Sequence, residues 1–334
     1  MKDFPTIYAN EGTRRRLADA VRAGTLAHAY IIEGAEGSGK CTLATQLAAA
    51  HACRGGGALP CGTCPSCHHI LTRQAPDVRY LAPSGATIGV DAIREMRSDM
   101  YLSSSENERK VYIIEKAHLM TPQAQNALLI VMEEPPTEMM LLLLTDRADA
   151  LLPTIRSRAQ HIRMELLRRE QMEQALRENK PLQLMKQSKP EEYEALLEMA
   201  GGCLGRILEA ADGKSNALLM KDRALVGQTV DALCRQADYA AAVRLLSDYP
   251  TKRQEVAAVL NLLHNALRDL VLLSRDKSAP LTFFLKRQQA QELCGRTSLA
   301  KLLAALDRVG EALDALDRNA NVNLTLQALF HQIF

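Results

Sequence analysis

No run of about eighteen apolar residues, the length that a membrane-spanning helix needs, occurs in this 334-residue chain. Its opening, "MKDFPTIYANEG", also has no continuous apolar stretch of the kind that directs export. These absences predict a cytoplasmic protein with no membrane partner. A charge of one sign is lacking too: 41 basic side chains face 39 acidic ones, a formal net charge of +2. That balance excludes nucleic-acid binding by field alone, so any contact with DNA must be local. The densest basic run, "TRRR" at Thr13 to Arg16, reads as one solvated helix face. Low-complexity linkers and internal repeats are absent as well.

The chain does have ample core-forming material, with 47% hydrophobic and 24% charged residues. Its length predicts two or three domains. Short apolar or β-branched runs mark strands at His28 to Gly34, Val78 to Ala82, Lys110 to Glu115, Met139 to Thr145 and Ala159 to Met164. Helical segments lie between them, among them "TPQAQNALLIVMEE", with Thr121 as N-cap, Pro122 in the first turn and Pro135 as stop. Strands alternating with helices imply an α/β fold with a mostly parallel sheet covered on both faces. From about Glu165 the strand signal gives way to leucine- and alanine-rich helical periodicity, broken at "GGCLG" (201–205), "DGKSN" (212–216) and "RDKSAP" (275–280). The expected division is therefore a nucleotide-binding-like domain over 1–165, a small helical unit over 166–211 and an all-α domain over 212–334.

The segment "EGAEGSGKCTLA", Glu33 to Ala44, places Gly34, Gly39 and Lys40 on the G-x-x-x-x-G-K spacing, with Gly37 between them. A strand, such a loop and a helix N-terminus cradle phosphate, because backbone N–H groups converge there and the helix dipole favours negative charge. Lys40 would reach the β and γ phosphates of ATP or ADP. The next position, where a hydroxyl ordinarily ligates magnesium, is Cys41, whose soft sulfur holds that hard cation poorly. Thr42 does not replace it, since one helical residue turns the side chain by about 100°. On the second acidic strand, "VYIIEKAH", an aspartate–glutamate pair is replaced by Glu115 and Lys116. Lys116 is a cation where a base should polarise water. Hydrolysis at this chain's own site is therefore not expected, while nucleotide binding remains open.

"CRGGGALPCGTCPSCHH" sets Cys53, Cys61, Cys64 and Cys67 in a C-x7-C-x2-C-x2-C array. Four thiolates this close suit a closed tetrahedral site for structural zinc. "CPSCH" also matches a haem-attachment pattern, and a C-x-x-C pair can be redox-active. Haem attachment requires export and leaves Cys53 and Cys61 unexplained, whereas zinc uses all four. The remaining cysteines, Cys41, Cys203, Cys234 and Cys294, read as isolated buried residues.

In this order the motifs resemble the delta-prime family of bacterial clamp-loader subunits, AAA+ proteins of the DNA polymerase III holoenzyme. The resemblance runs from Met1 to about Ala211 through "LAHAYIIEG", the glycine loop, the cysteine insert, "VYIIEKAHLM", "NALLIVMEEPP", "LLLLTDRADALLPTIRSRAQ" and "GGCLGRILEA". Beyond that it rests on helicity and "NANVNLTLQALF". It implies an arginine finger at Arg158, within "SRA" where the family has "SRC", acting in trans on a neighbour's ATP site. It also implies sensor positions at Thr145 and Arg206, a helical lid and a C-terminal collar. The implied partners are delta and tau/gamma subunits, and through them the sliding clamp and primed DNA.

Two rival functions stay in view. A self-sufficient motor ATPase of the tau/gamma type is expected to carry serine or threonine at position 41 and an aspartate–glutamate pair at 115 and 116. A zinc-dependent nucleic-acid-binding module is expected to have cations and aromatics around its cysteines, and "ALPCGTCPSCHHILTRQ" has few of the first and none of the second.

Overall fold

The computed structural model describes residues 3–85, 87–101, 110–136, 139–211, 213–235, 239–277, 279, 281–284, 287–318 and 320–334. Two compact units emerge, the first comprising residues 1–176 and 202–206, the second 177–201 and 207–334. The first unit contains α1 (Glu11–Ala23), β1 (Ala29–Glu33), α2 (Lys40–His51), α3 (Pro65–Leu71), β2 (Val78–Leu81), α4 (Val90–Met100), β3 (Lys110–Ile114), α5 (Pro122–Glu133), β4 (Met139–Thr145), α6 (Pro153–Arg156), β5 (Gln160–Arg163) and α7 (Arg169–Ala175).

All five strands are parallel, in the order β2-β3-β4-β1-β5. The apolar runs are continuous because both faces of the sheet are covered. On β4, Met140, Leu142 and Leu144 pack with Tyr30, Ile32, Val111, Ile113 and the α2 residues Leu43 and Leu47. The alternate residues Met139, Leu141 and Leu143 pack with Ile31, Tyr112, Ile114, Ile93 and Leu128 on the other side. One sheet thus separates two cores. The N-cap of α5 is as expected, with Thr121 Oγ1 accepting from the Ala124 N–H at 3.2 Å, and the helix ends two residues before Pro135.

The "TRRR" run departs from the expected solvated face. Arg14 is buried and donates through Nε and Nη2 to the Asp3 carbonyl at 3.2 and 2.8 Å. Arg15 and Arg16 alone are exposed. A guanidinium carries enough donors to satisfy a buried chain turn, which charge counting does not register.

The second unit is helical: α8 (Lys180–Ser188), α9 (Pro190–Ala200), α10 (Leu204–Ala211, whose first residues belong to the first unit), α11 (Gly213–Cys234), α12 (Tyr239–Ser247), α13 (Arg253–Arg275), α14 (Arg287–Cys294), α15 (Leu299–Asp317) and α16 (Val322–Ile333). The break expected at "DGKSN" is not a loop at 213–216, because α11 begins at Gly213.

On α13, Val256, Val259, Leu260, Leu263, Ala266, Leu267 and Leu270 are fully buried, a stripe of helical period. It packs with Leu302, Ala305 and Val309 of α15 and with Leu326 and Phe330 of α16. Among the described residues α13 holds the one stretch, Glu255–Arg275, long and apolar enough to cross a membrane. Its apolar stripe is the centre of this core.

Asp269 of α13 is wholly buried and accepts from the N–H groups of Thr282, Phe283 and Phe284 at 2.8, 2.6 and 3.3 Å, and from the Thr282 hydroxyl at 2.9 Å. It is the acceptor that holds the segment leading to α14 against the bundle. Asp269→Ala strands those buried donors and is expected to lower the unfolding free energy by roughly 2–4 kcal/mol. Asp269→Asn, which keeps one oxygen, is expected to lose less. Urea titrations of the three proteins check this, and an alanine variant within about 0.5 kcal/mol of the parent would contradict it.

Candidate phosphate and metal sites

The glycine loop lies at the carboxyl edge of the sheet, after β1 and against the end of β4. Parallel register sets Glu33 beside Thr145. The Gly34 N–H then donates to the Thr145 carbonyl at 3.0 Å, and the Met164 N–H to the Glu33 carbonyl at 2.7 Å. A Cβ on Gly34 would come within 2.7 Å of both Met164 Cβ and Ser38 Oγ, so nothing larger fits. Gly37 and Gly39 have φ of 80° and 93°, the left-handed region that glycine adopts without strain. The spacing read in the sequence therefore corresponds to a folded loop.

Lys40, the first residue of α2, turns back into that loop. Its Nζ donates to the carbonyls of Gly34 at 2.6 Å and Ala35 at 2.9 Å. Burial pulls its pKa below the ordinary lysine value, while Asp146 and Glu36 act in the opposite sense. Ser38 Oγ is buried in the same loop without a hydrogen-bond partner. An ammonium satisfied only by backbone carbonyls and an orphaned hydroxyl are groups that fit an incoming phosphate. Gly34, Gly37, Gly39, Lys40 and Ser38 are the residues that would hold it.

The segment 202–206 closes on the loop from the other side. The Gly205 N–H donates to the Gly37 carbonyl at 2.9 Å, and a Cβ on Gly37 would meet the Arg206 backbone nitrogen at 2.9 Å. The glycines at 37 and 205 are thus required by backbone-to-backbone approach. Arg206 itself has an exposed side chain, next to the loop through its main chain.

Around Cys41 the structure revises the reading of an isolated thiol. Cys41 is half-buried on the first turn of α2, accepts from Arg73 Nη2 at 2.9 Å and lies 3.7 Å from Glu115 Oε1. Burial pushes its pKa up, with Arg73 acting against that rise. Thr42 is exposed. Glu115 follows β3, so the two altered positions, 41 and 115, do meet. Lys116 adopts a φ of 50° and its Nζ pairs with Glu36 of the loop at 3.4 Å. The donor set at residue 41 does not fit magnesium: a thiol replaces a hydroxyl and a guanidinium is already in place.

Thr145 is fully buried at the end of β4. Its hydroxyl donates to the Arg147 carbonyl at 3.0 Å, accepts from the Arg147 N–H at 3.1 Å and lies 3.3 Å from His118 Nδ1. The same nitrogen is 2.9 Å from Asp146 Oδ1. The bond from His118 holds the Asp146 carboxyl below the usual carboxylate range. His118 and Asp146 escaped sequence reasoning, since a lone histidine beside an acidic strand carries no spacing signal.

Arg158 follows α6 and is about one-third exposed; it pairs with Glu133 at 2.9 Å and donates to the Thr154 carbonyl at 3.1 Å. Glu133, the last residue of α5, was not singled out in the sequence either.

The four cysteines of the insert do converge. The Sγ atoms of Cys53, Cys61, Cys64 and Cys67 all lie within 4.8 Å of one another, and those of Cys61 and Cys67 are 3.9 Å apart. A tetrahedron of 2.3 Å metal–sulfur bonds has edges of about 3.8 Å. Cys64 is the N-cap of α3, its sulfur accepting from the Cys67 N–H at 3.5 Å, and the Cys61 sulfur accepts from the Cys64 N–H at 3.4 Å. That N–H and the Thr63 backbone lower the Cys61 pKa to about 6, whereas burial raises that of Cys67. Gly55 makes the turn feasible, because a Cβ there would lie 2.7 Å from Cys61 Sγ. The cluster can hold a metal ion.

Comparison with known proteins is consistent with this geometry. The family described as "DNA polymerase III, delta subunit" matches residues 9–168. The chain is 35% identical over 160 residues to DNA polymerase III subunit delta' of Bacillus subtilis, a match covering 48% of this chain and 49% of that protein. It is 36% identical over 146 residues to the delta' subunit of Haemophilus influenzae, covering 43% and 45%. With the gamma/tau subunit of Mycobacterium tuberculosis it shares 33% identity over 166 residues, covering 49% and 29%. The chain spans about half, or less, of the length of these relatives. Among solved structures, a gamma subunit-related protein of Thermotoga maritima is similar at 21% identity and a TM-score of 0.47, covering 94% of this chain and 97% of that one. The matched stretch, residues 9–168, carries the loop, the cysteine insert and the arginine segment, and over it the chain is similar to DNA polymerase III delta and delta' subunits.

Proposed function

We propose that the chain is a non-motor AAA+ subunit of a cytoplasmic clamp-loading assembly that places the sliding clamp on primed DNA. The observation that carries this reading is the state of one sheet edge. The loop and Lys40 are intact, while Cys41, Glu115 and Lys116 have lost the metal ligand and the base that turnover requires. The self-sufficient motor reading needs those groups. Lys116, tied to Glu36, cannot take a proton from water in its ammonium form.

Arg158 is the catalytic contribution on this reading. Exposed at the end of the "TIRSR" segment, it would enter the ATP site of an adjacent tau/gamma-type subunit and stabilise charge on the transferring phosphate. Its pairing with Glu133 is a surface ion pair, weak enough to exchange for a phosphate. Residues 166–211 would act as a lid carrying Arg206, with Thr145 as the strand-end sensor. Residues 212–334 would form the collar that meets delta and tau/gamma neighbours. ATP or ADP, where bound, would rest on Lys40 and the loop amides. Zinc is the metal that the four thiols would take, in a closed structural site without an open coordination position.

Two measurements follow. In the reconstituted assembly, Arg158→Ala is expected to lower ATPase and clamp-loading rates at least about tenfold, well within the roughly thousandfold or more that such an arginine contributes at one site, with assembly retained on size-exclusion chromatography. Unchanged rates would refute the role. Elemental analysis of the purified chain should find one zinc per chain, lost with Cys64→Ser, and a metal-free protein of unchanged stability would refute the zinc assignment.

A further inference from the structure

The cysteine insert does more at this edge than bury its own sulfurs. Its helix α3 ends at Leu71 with Thr72 as C-cap, and Arg73 then adopts a φ of 58°, its N–H bonded to the Ile70 carbonyl at 3.0 Å while the Gln74 N–H reaches the His69 carbonyl at 2.7 Å. That left-handed turn ends the helix and sends the Arg73 side chain across the Tyr80 ring, with Cζ 4.8 Å from the centroid. Tyr80 is itself held by its hydroxyl, 3.1 Å from Thr45 Oγ1 on α2. The guanidinium ends 2.9 Å from Cys41 Sγ, and beyond that sulfur, at 3.7 Å, stands Glu115. A cation therefore lies at the helix position where a phosphate-loop protein places its magnesium ligand, beside the carboxylate that would complete the metal's shell.

We propose that the guanidinium of Arg73 takes the place of the divalent cation in this phosphate loop, so that nucleotide binds without magnesium. The inference rests on the retained cradle described under Proposed function. It goes further by naming the group that balances phosphate charge. A guanidinium cannot polarise water as a metal does, but its planar donors match phosphate oxygens, and its fixed charge repels a second cation from the Cys41–Glu115 gap. The stack on Tyr80 fixes the guanidinium's position before any ligand arrives. It also gives the four-thiol cluster a second role, since Cys64 and Cys67 hold the helix from which Arg73 projects. In the sequence Arg73 stands in "ILTRQ", outside every motif.

The test is calorimetric titration of the full chain with ADP, in buffer free of magnesium and again with magnesium in excess. No chelator is used, so the thiol cluster keeps its metal. The parent is expected to bind ADP with affinities within about twofold of each other in the two buffers. Arg73→Met is expected to lose about tenfold or more without magnesium, the loss of one charge-assisted hydrogen bond. Arg73→Lys, which keeps the charge, is expected to stay closer to the parent; equal losses in the two variants would assign Arg73 a purely structural role and overturn the inference. Circular dichroism and the thermal midpoint of each variant confirm that the fold is intact. ADP binding by the parent that requires magnesium overturns the role of Arg73 and leaves the cradle standing. An absence of ADP binding in both buffers overturns the cradle, and this inference with it.

Discussion

Parallel pairing of β1 with β4, Glu33 opposite Thr145, is the constraint from which the rest of the site follows. It brings the first loop against the end of the central strand and ties the two by the bond from the Gly34 N–H to the Thr145 carbonyl. With that edge fixed, β3 on the far side of β4 delivers Glu115 and Lys116, and β5 beside β1 delivers Met164 under Gly34. Because both faces of the sheet are buried, the strands cannot slip without exposing one core or the other. The loop is shaped by a rigid scaffold before any ligand arrives.

On that scaffold the charges are arranged to be internally satisfied. Lys40 is hydrogen-bonded by loop carbonyls, Lys116 pairs with Glu36, and Arg73 faces Cys41, with Glu115 beyond it. Three cations surround one small loop, and two of them stand where a working ATPase has a metal and a base. On the proposed reading, the net effect is a surface that would attract phosphate and lack the means to activate water. That is a different outcome from simple decay of a motif, in which lost ligands would leave the loop glycines free to drift. Here Gly34, Gly37 and Gly205 remain at positions where a Cβ would clash with backbone or packed side chains.

Much of this was legible in the sequence. Apolar runs bounded by turn residues located the strands; on β1, β3 and β4 burial on both faces makes the run continuous, whereas the edge strand β5 buries only Ile162. The glycine spacing located the loop, and the cysteine spacing located a cluster whose sulfurs do converge. What escaped were contacts between residues distant in the chain. Arg73 meets Cys41 across 32 positions, and His118 meets Asp146 through two strand ends, neither with a repeating spacing to betray it. Arg14, taken for a solvated cation, is buried because its donors fit a chain turn at Asp3. Local periodicity reports which face of an element is apolar; it does not report which polar groups meet.

The central claim is that this edge retains phosphate recognition and has lost turnover. Steady-state ATP hydrolysis by the isolated chain with excess magnesium, run beside Lys40→Ala, tests it most directly. The account predicts a rate for the parent indistinguishable from that of the variant. Magnesium-dependent hydrolysis that Lys40→Ala abolishes would contradict it.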